Sequence, residues 1–146
     1  MKKKSNKQLA KEILNREIVA LRRTTKSLDS KFDKACDAII SSKGKVITLG
    51  IGKSSFIAMK MAATLSSTGT AALFLHPVDA LHGDVGVIKK NDVVIIYSNS
   101  GETQEVIKLL PLLKLLKCYI ISITGNLSSS LAQYSNISLD ASVTRE

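Results

Sequence analysis

Residues 92–103 read Asp92-Val-Val-Ile-Ile-Tyr-Ser-Asn-Ser-Gly-Glu-Thr103. A β-branched run opens directly onto small hydroxyl and amide side chains with one glycine. From Thr103 to Leu116 the pattern then turns helical. An unbroken apolar run of this kind fits a strand buried on both faces, as in parallel sheets. The same change of character recurs along the chain. Lys45-Val-Ile-Thr-Leu-Gly50 is a second β-branched strand bounded by glycine, and a helix is expected over Phe56–Leu65. Ala71–Leu75 reads as a short strand and Cys118–Ile123 as a longer one. Leu127–Gln133 reads as a short helix and Ile137–Asp140 as a last strand. Strands alternating with helices imply βαβ units. The expected fold is α/β, a doubly wound parallel sheet of about five strands with helices on both faces. Pro111, inside the helix that follows the opening stretch, predicts a kink or a break there.

Two helices are expected ahead of the sheet. Between Ser5 and Ser27, Ala10, Leu14, Ile18 and Leu21 recur at helical spacing and form one apolar stripe. Asp29–Ser42 would bury Phe32, Cys36 and Ile39 or Ile40. The chain therefore divides into a helical segment, 1–42, and an α/β domain, 43–146, within the 146 residues that suit a single domain. The net charge of +9 is concentrated at the start. Residues 1–27 hold nine Lys/Arg against two acids, and residues 28–146 hold twelve against ten. No aromatic is interleaved with the basic residues, so no stacking platform for nucleic acid is evident and a solvated helix face is the simpler reading. Cys36 and Cys118 are too few for a disulfide scaffold or for a structural zinc site of their own. The longest apolar stretch, Leu109–Leu116, is interrupted by Pro111 and Lys114 and falls well short of the roughly 20 residues of a membrane helix. No apolar segment follows the basic start, so it is not a secretory signal. The expectation is a reduced, cytoplasmic domain with no membrane or nucleic-acid partner.

In an open parallel sheet, ligands bind beyond the carboxyl ends of the strands. Two strand-to-helix loops have suitable chemistry. In Gly50-Ile-Gly-Lys-Ser-Ser55 the glycines let the backbone approach an anion, and the following helix offers free N–H groups. Lys53 adds a charge, and Ser54 and Ser55 add hydroxyls. The spacing is neither a Walker loop, because Ile47 stands at its first glycine, nor a dinucleotide fingerprint, because Ser55 stands at its third. The plain alternative is a tight turn with Ser54 capping the helix. In Ser98-Asn-Ser-Gly-Glu-Thr103, hydroxyls and N–H groups together could hold three phosphate oxygens. Glu102 and Glu105 are repelled by such an anion. Their presence is explained either by proton abstraction from carbon or, for Glu102, by a capping box. Between the loops lies Leu75-His-Pro-Val-Asp-Ala-Leu-His-Gly-Asp84, which carries both histidines, His76 and His82, as candidates for acid–base work. The spacing of these groups with Asp79 and Asp84 does not favour a metal, and none is expected.

Taken together, Gly50-Ile-Gly-Lys-Ser54, Met61-Ala-Ala-Thr-Leu-Ser-Ser-Thr-Gly69, His76-Pro77, His82-Gly-Asp84 and Ser98-Asn-Ser-Gly-Glu-Thr103 resemble a sugar isomerase (SIS) domain. The similarity is greatest to the D-arabinose 5-phosphate isomerases, and it covers nearly the whole chain. The resemblance implies a cofactor-free interconversion of D-ribulose 5-phosphate and D-arabinose 5-phosphate through an enediolate. It further implies a homo-oligomer, dimer or tetramer, serving octulosonate synthesis for lipopolysaccharide or capsule. It implies that Gly52, Ser54, Ser55, Ser98, Asn99, Ser100, Gly101 and Thr103 hold the phosphosugar, and that Lys53, Glu105 and Glu146 are catalytic with His82 nearby. The family pattern continues past Glu146 with a further catalytic histidine, a closing helix and usually a pair of cystathionine-β-synthase domains. A chain truncated at its C-terminus is therefore expected. The alternative is a module that binds a phosphosugar without turning it over.

Overall fold

In the computed structural model, residues 4–143 are described. The strands are β1 (Val46–Gly50), β2 (Ala72–Phe74), β3 (Val93–Tyr97), β4 (Tyr119–Thr124) and β5 (Ile137–Asp140). All neighbouring pairs are parallel and form one sheet in the order β2-β1-β3-β4-β5. The helices are α1 (Asn6–Ser27), α2 (Ser30–Ile40), α3 (Lys53–Ser67), α4 (Pro77–Leu81), α5 (Gln104–Leu115) and α6 (Ser130–Tyr134), with a 3-10 turn at Asp84–Val87. The doubly wound α/β expectation is met, with two helices ahead of the sheet. Among the described residues, no helix is long and apolar enough to cross a membrane.

The strand pleat divides the apolar residues between two layers. One face carries Ile47, Leu49, Val94, Ile96 and Ile120, which pack with Val106, Leu109, Leu110 and Leu113 of α5, Ala80 of α4 and Leu131 of α6. The other carries Val46, Val93, Ile95, Ile121 and Ile137, which pack with Ala35 of α2 and with Met61 and Leu65 of α3. The central strands β1 and β3 are buried from end to end, apart from the half-buried Tyr97. This double burial is why they read as continuous apolar runs.

Four sequence expectations need correction. The helix expected from Phe56 begins at Lys53, because the helical backbone starts immediately after Gly52. In α2 the fully buried residue is Ala35; Cys36 and Ile39 are half-buried, Ile39 packing on the core as expected, whereas Phe32 and Ile40 are exposed at 42% and 81%. A small residue, Ala35, is the one that meets the sheet. The helix α5 runs unbroken through Pro111. One missing N–H costs less than the burial of Val106, Leu109, Leu110 and Leu113 contributes, since each buried aliphatic side chain is worth roughly 1.5–3 kcal/mol. Finally, the histidine segment, for which no element was expected, contains the short helix α4, with Pro77 at its first position.

The first helix stands apart. It opens with a capping box between Ser5 and Gln8, yet none of its residues is buried. Its large apolar residues, Leu9, Ile13, Leu14, Ile18, Val19 and Leu21, are exposed.

Candidate functional site

The strand order creates a switch point. From β1 the chain passes to β2 on one side, and β3 lies on the other, so the connections leave β1 and β3 in opposite directions and open a crevice between them. Register aligns the two loops that border it: Gly50 at the end of β1 pairs with Tyr97 at the end of β3. Gly50-Ile-Gly52 and Ser98–Thr103 therefore leave the sheet side by side. On the far side of β1, Leu75 donates to the Thr48 carbonyl at 3.0 Å, which brings the His76–Asp84 segment out at the same sheet edge.

The helix starts distinguish this edge from the rest of the molecule. Four α-helices close their first turn with a side chain: Ser5 accepts from the Gln8 amide, Asp29 from Lys31, His76 from Val78 and Ser129 from Ala132. The other two, α3 and α5, have no side-chain cap. These two helices start from the two loops at the crevice. Among the described residues their first-turn N–H groups have no side-chain acceptor, and each helix presents the positive end of its dipole. Helix starts of this kind can hold an anion.

Each loop is shaped to leave those ends open. Gly52 has φ 60° and ψ −128°, a region that L side chains rarely enter, so glycine is required where the chain turns into α3. The Ser55 hydroxyl donates to the Gly52 carbonyl at 2.6 Å and tightens the turn, while Ser54 does not cap. In the second loop the Ser98 and Thr103 hydroxyls share a hydrogen bond of 2.9 Å, and the Gly101 amide donates to Ser98 Oγ at 3.1 Å. Ser98 and Gly101 are buried, whereas Asn99 and Ser100 are exposed. Burial pushes the Tyr97 phenol above its ordinary value of 10.0, so the last residue of β3 stays neutral at physiological pH.

Three of the candidate catalytic residues stand on α3 and α5 or at the end of α4. Lys53 is the first residue of α3 and is exposed, and Glu105 is the second residue of α5 and half-buried. His82 caps the C-terminal end of α4 and is exposed, and α4 packs against α5. None of these three side chains has a hydrogen-bond or ion-pair partner among the described residues. His76 is occupied otherwise: its Nδ1 accepts from the Val78 amide at 3.3 Å and its ring meets Phe74 edge to face. Glu146 lies outside the described residues. Among those residues, no group of three or more His, Cys, Asp or Glu is placed to hold a metal ion.

The sequence reading missed a third loop at this edge, Gly125–Ser129 between β4 and α6. It backs the anion loop: the Gly125 amide and the Thr124 hydroxyl both donate to the Asn99 carbonyl, at 2.9 and 3.2 Å. The Leu131 amide donates to the Gly101 carbonyl at 3.1 Å. Its signal was the same as that of the other two, a strand running into small polar residues before a helix. Glu102 also departs from expectation. It does not cap α5, and its carboxylate accepts from the Ser130 amide at 2.6 Å.

Comparison with known proteins agrees with this geometry. The SIS domain family model matches residues 39–146. An arabinose 5-phosphate isomerase of Pseudomonas aeruginosa is 51% identical over 115 residues, which are 79% of this chain and 35% of that protein. An arabinose 5-phosphate isomerase of Escherichia coli K12 is 43% identical over 139 residues, 95% of this chain and 42% of that protein. The chain thus spans about two fifths of the length of these curated relatives. A protein of Escherichia coli CFT073 solved in complex with arabinose 5-phosphate superposes with a TM-score of 0.84 at 40% identity, covering 98% of this chain and 78% of that one.

Proposed function

The chain belongs to the SIS domain family, and from that premise we propose that it interconverts D-ribulose 5-phosphate and D-arabinose 5-phosphate through a cis-enediolate. The observation that carries this reading is the pair of uncapped helix starts, α3 and α5, facing one crevice with Lys53 and Glu105 in their first turns. The names of relatives up to 51% identical support the choice of sugar. The phosphate lies between Ser54 and the Ser98–Thr103 loop, where hydroxyls and N–H groups of Ser98, Asn99, Ser100 and Thr103 supply the donors. Gly52, Ser55 and Gly101 shape the two turns around it.

The reaction moves a proton between neighbouring carbons. Glu105 takes it from C1 of the ketose, the electron pair forms the C1–C2 double bond, and the carbonyl oxygen becomes the enediolate oxygen. Lys53 stabilises that oxygen electrostatically. His82 donates and accepts the proton that passes between O2 and O1, and Glu105 returns its proton to C2 to give the aldose. Glu146 completes the catalytic set in this reading. The product would feed octulosonate synthesis in the cytoplasm. The exposed apolar stripe of α1, together with Phe56 and Ile57 of α3 beside the crevice, supports self-association as a dimer or tetramer.

The test is incubation with D-ribulose 5-phosphate in deuterated water, followed by NMR. The expected result is arabinose 5-phosphate carrying solvent deuterium at C2, lost at least 100-fold on Glu105→Gln or Lys53→Met. Phosphosugar binding without deuterium exchange in the wild-type chain would establish the alternative, a non-catalytic binding module.

A further inference from the structure

The acid in the anion loop that the mechanism does not use, Glu102, is engaged elsewhere. We propose that Glu102 is a positioning residue, whose carboxylate clamps the anion loop to the start of α6 and so fixes the phosphate donors in place. This inference rests on the reading of Ser98–Thr103 as the phosphate loop. Three contacts join the loop to α6, and a fourth closes the helix cap beside them. Glu102 Oε1 accepts from the Ser130 amide at 2.6 Å, across 28 residues of sequence. The next amide, Leu131, donates to the Gly101 carbonyl at 3.1 Å. The third, Ala132, donates to Ser129 Oγ at 3.3 Å. Gly101, at φ +67°, lies flat against Ser129, where a Cβ would collide with the Ser129 hydroxyl and Cβ. The first three amides of α6 are thereby satisfied, two of them by the anion loop.

The anchor beneath the clamp is tied into the core. Leu131 is fully buried in the core beside α5, and Ser138 of β5 donates to the Ala132 carbonyl at 3.0 Å. Glu102 itself is exposed, and its own amide donates to Ser100 Oγ at 3.2 Å, so one residue ties a phosphate-facing hydroxyl to the core-anchored helix. The arrangement also explains why a carboxylate is tolerated here. Turned onto the Ser130 amide, its charge is offset by that N–H rather than facing the incoming phosphate.

The test compares Glu102→Ala with Glu102→Gln in the full 146-residue chain, using D-arabinose 5-phosphate and inorganic phosphate as probes. Glutamine retains the acceptor oxygen, and alanine removes it. Glu102→Ala is expected to weaken binding of both probes about 5- to 10-fold, the scale of one ordinary hydrogen bond at an exposed site. It is also expected to speed amide exchange at Ser130 and Leu131 by at least fivefold. Glu102→Gln is expected to restore binding, exchange and turnover to within about twofold of wild type. Unchanged probe binding in Glu102→Ala would overturn the proposal. Turnover lost in Glu102→Gln with binding intact would also overturn it, because the carboxylate would then act on the sugar. Should the wild-type chain bind neither probe, the phosphate-loop reading fails. The clamp is then judged by amide exchange alone, and unaltered exchange at Ser130 in Glu102→Ala refutes it.

Discussion

Asp92 is 2% exposed, and its carboxylate collects three donors: the Lys45 amide at 2.9 Å, the Lys45 ammonium at 2.8 Å and the Lys89 amide at 2.7 Å. It fastens the amino ends of β1 and β3 opposite the anion site. Burial pushes the carboxyl up, but the hydrogen bonds from the Lys45 side chain and the Lys89 and Lys45 amides, with the Lys45 charge, hold it below its ordinary value of 3.8. A carboxylate depressed in the folded state contributes stability that is complete above its unfolded value and is lost as pH falls through the folded one. Unfolding of the wild type should therefore become easier below about pH 4, with the slope on the acid side reduced in Asp92→Asn. At pH 7 that variant should lose about 2–4 kcal/mol by denaturant titration, since Asn cannot accept all three donors. The sequence placed Asp92 at a strand start but could not show its role, because its ion-pair partner lies 47 residues away.

At the scale of elements, α5 shows packing overruling propensity. Pro111 removes the donor that would meet the Ile107 carbonyl, yet the helix continues because Leu109, Leu110 and Leu113 are fully buried and the proline ring is exposed. Pro111→Ala should therefore stabilise the chain by about 1–3 kcal/mol, raising Tm by several degrees. A lowered Tm would mean that the ring packs on something. The strands were legible to within a residue or two because β-branched runs bounded by glycine have few other uses. Helix α4 was not legible: five residues carry no periodicity, and the two histidines drew a chemical reading instead. Phe32 was expected to be buried on hydropathy alone, which does not report how closely a helix approaches its sheet. The anion loops were legible in composition. That α3 and α5 are the two helices left without side-chain caps emerged only once the caps of the other four were in view.

At the scale of the whole molecule, alternation of strands and helices was enough to imply a parallel sheet, but strand order was not written in it. That order places the Lys53 and Glu105 loops on either side of one crevice, and the site depends on it. The apolar stripe of α1 was correctly read as a helix face, yet none of the helix is buried within the chain. If that stripe joins copies of the chain, Leu14→Glu with Ile18→Glu should lower the mass measured by light scattering to that of a monomer while leaving the sheet intact by circular dichroism. An unchanged mass would remove α1 from the interface. In the function proposed, the open helix starts of α3 and α5 together bind the phosphate of a sugar. The most direct test is to titrate the 15N-labelled chain with D-arabinose 5-phosphate and follow the amide shifts. Saturable shifts are expected, concentrated at residues 52–55 and 98–103, with the amides of Lys53 and Ser54 among the largest. Shifts centred instead on the cleft of about 720 Å³ at the opposite end of the strands, around Lys34, Asn91 and Tyr119, would contradict it.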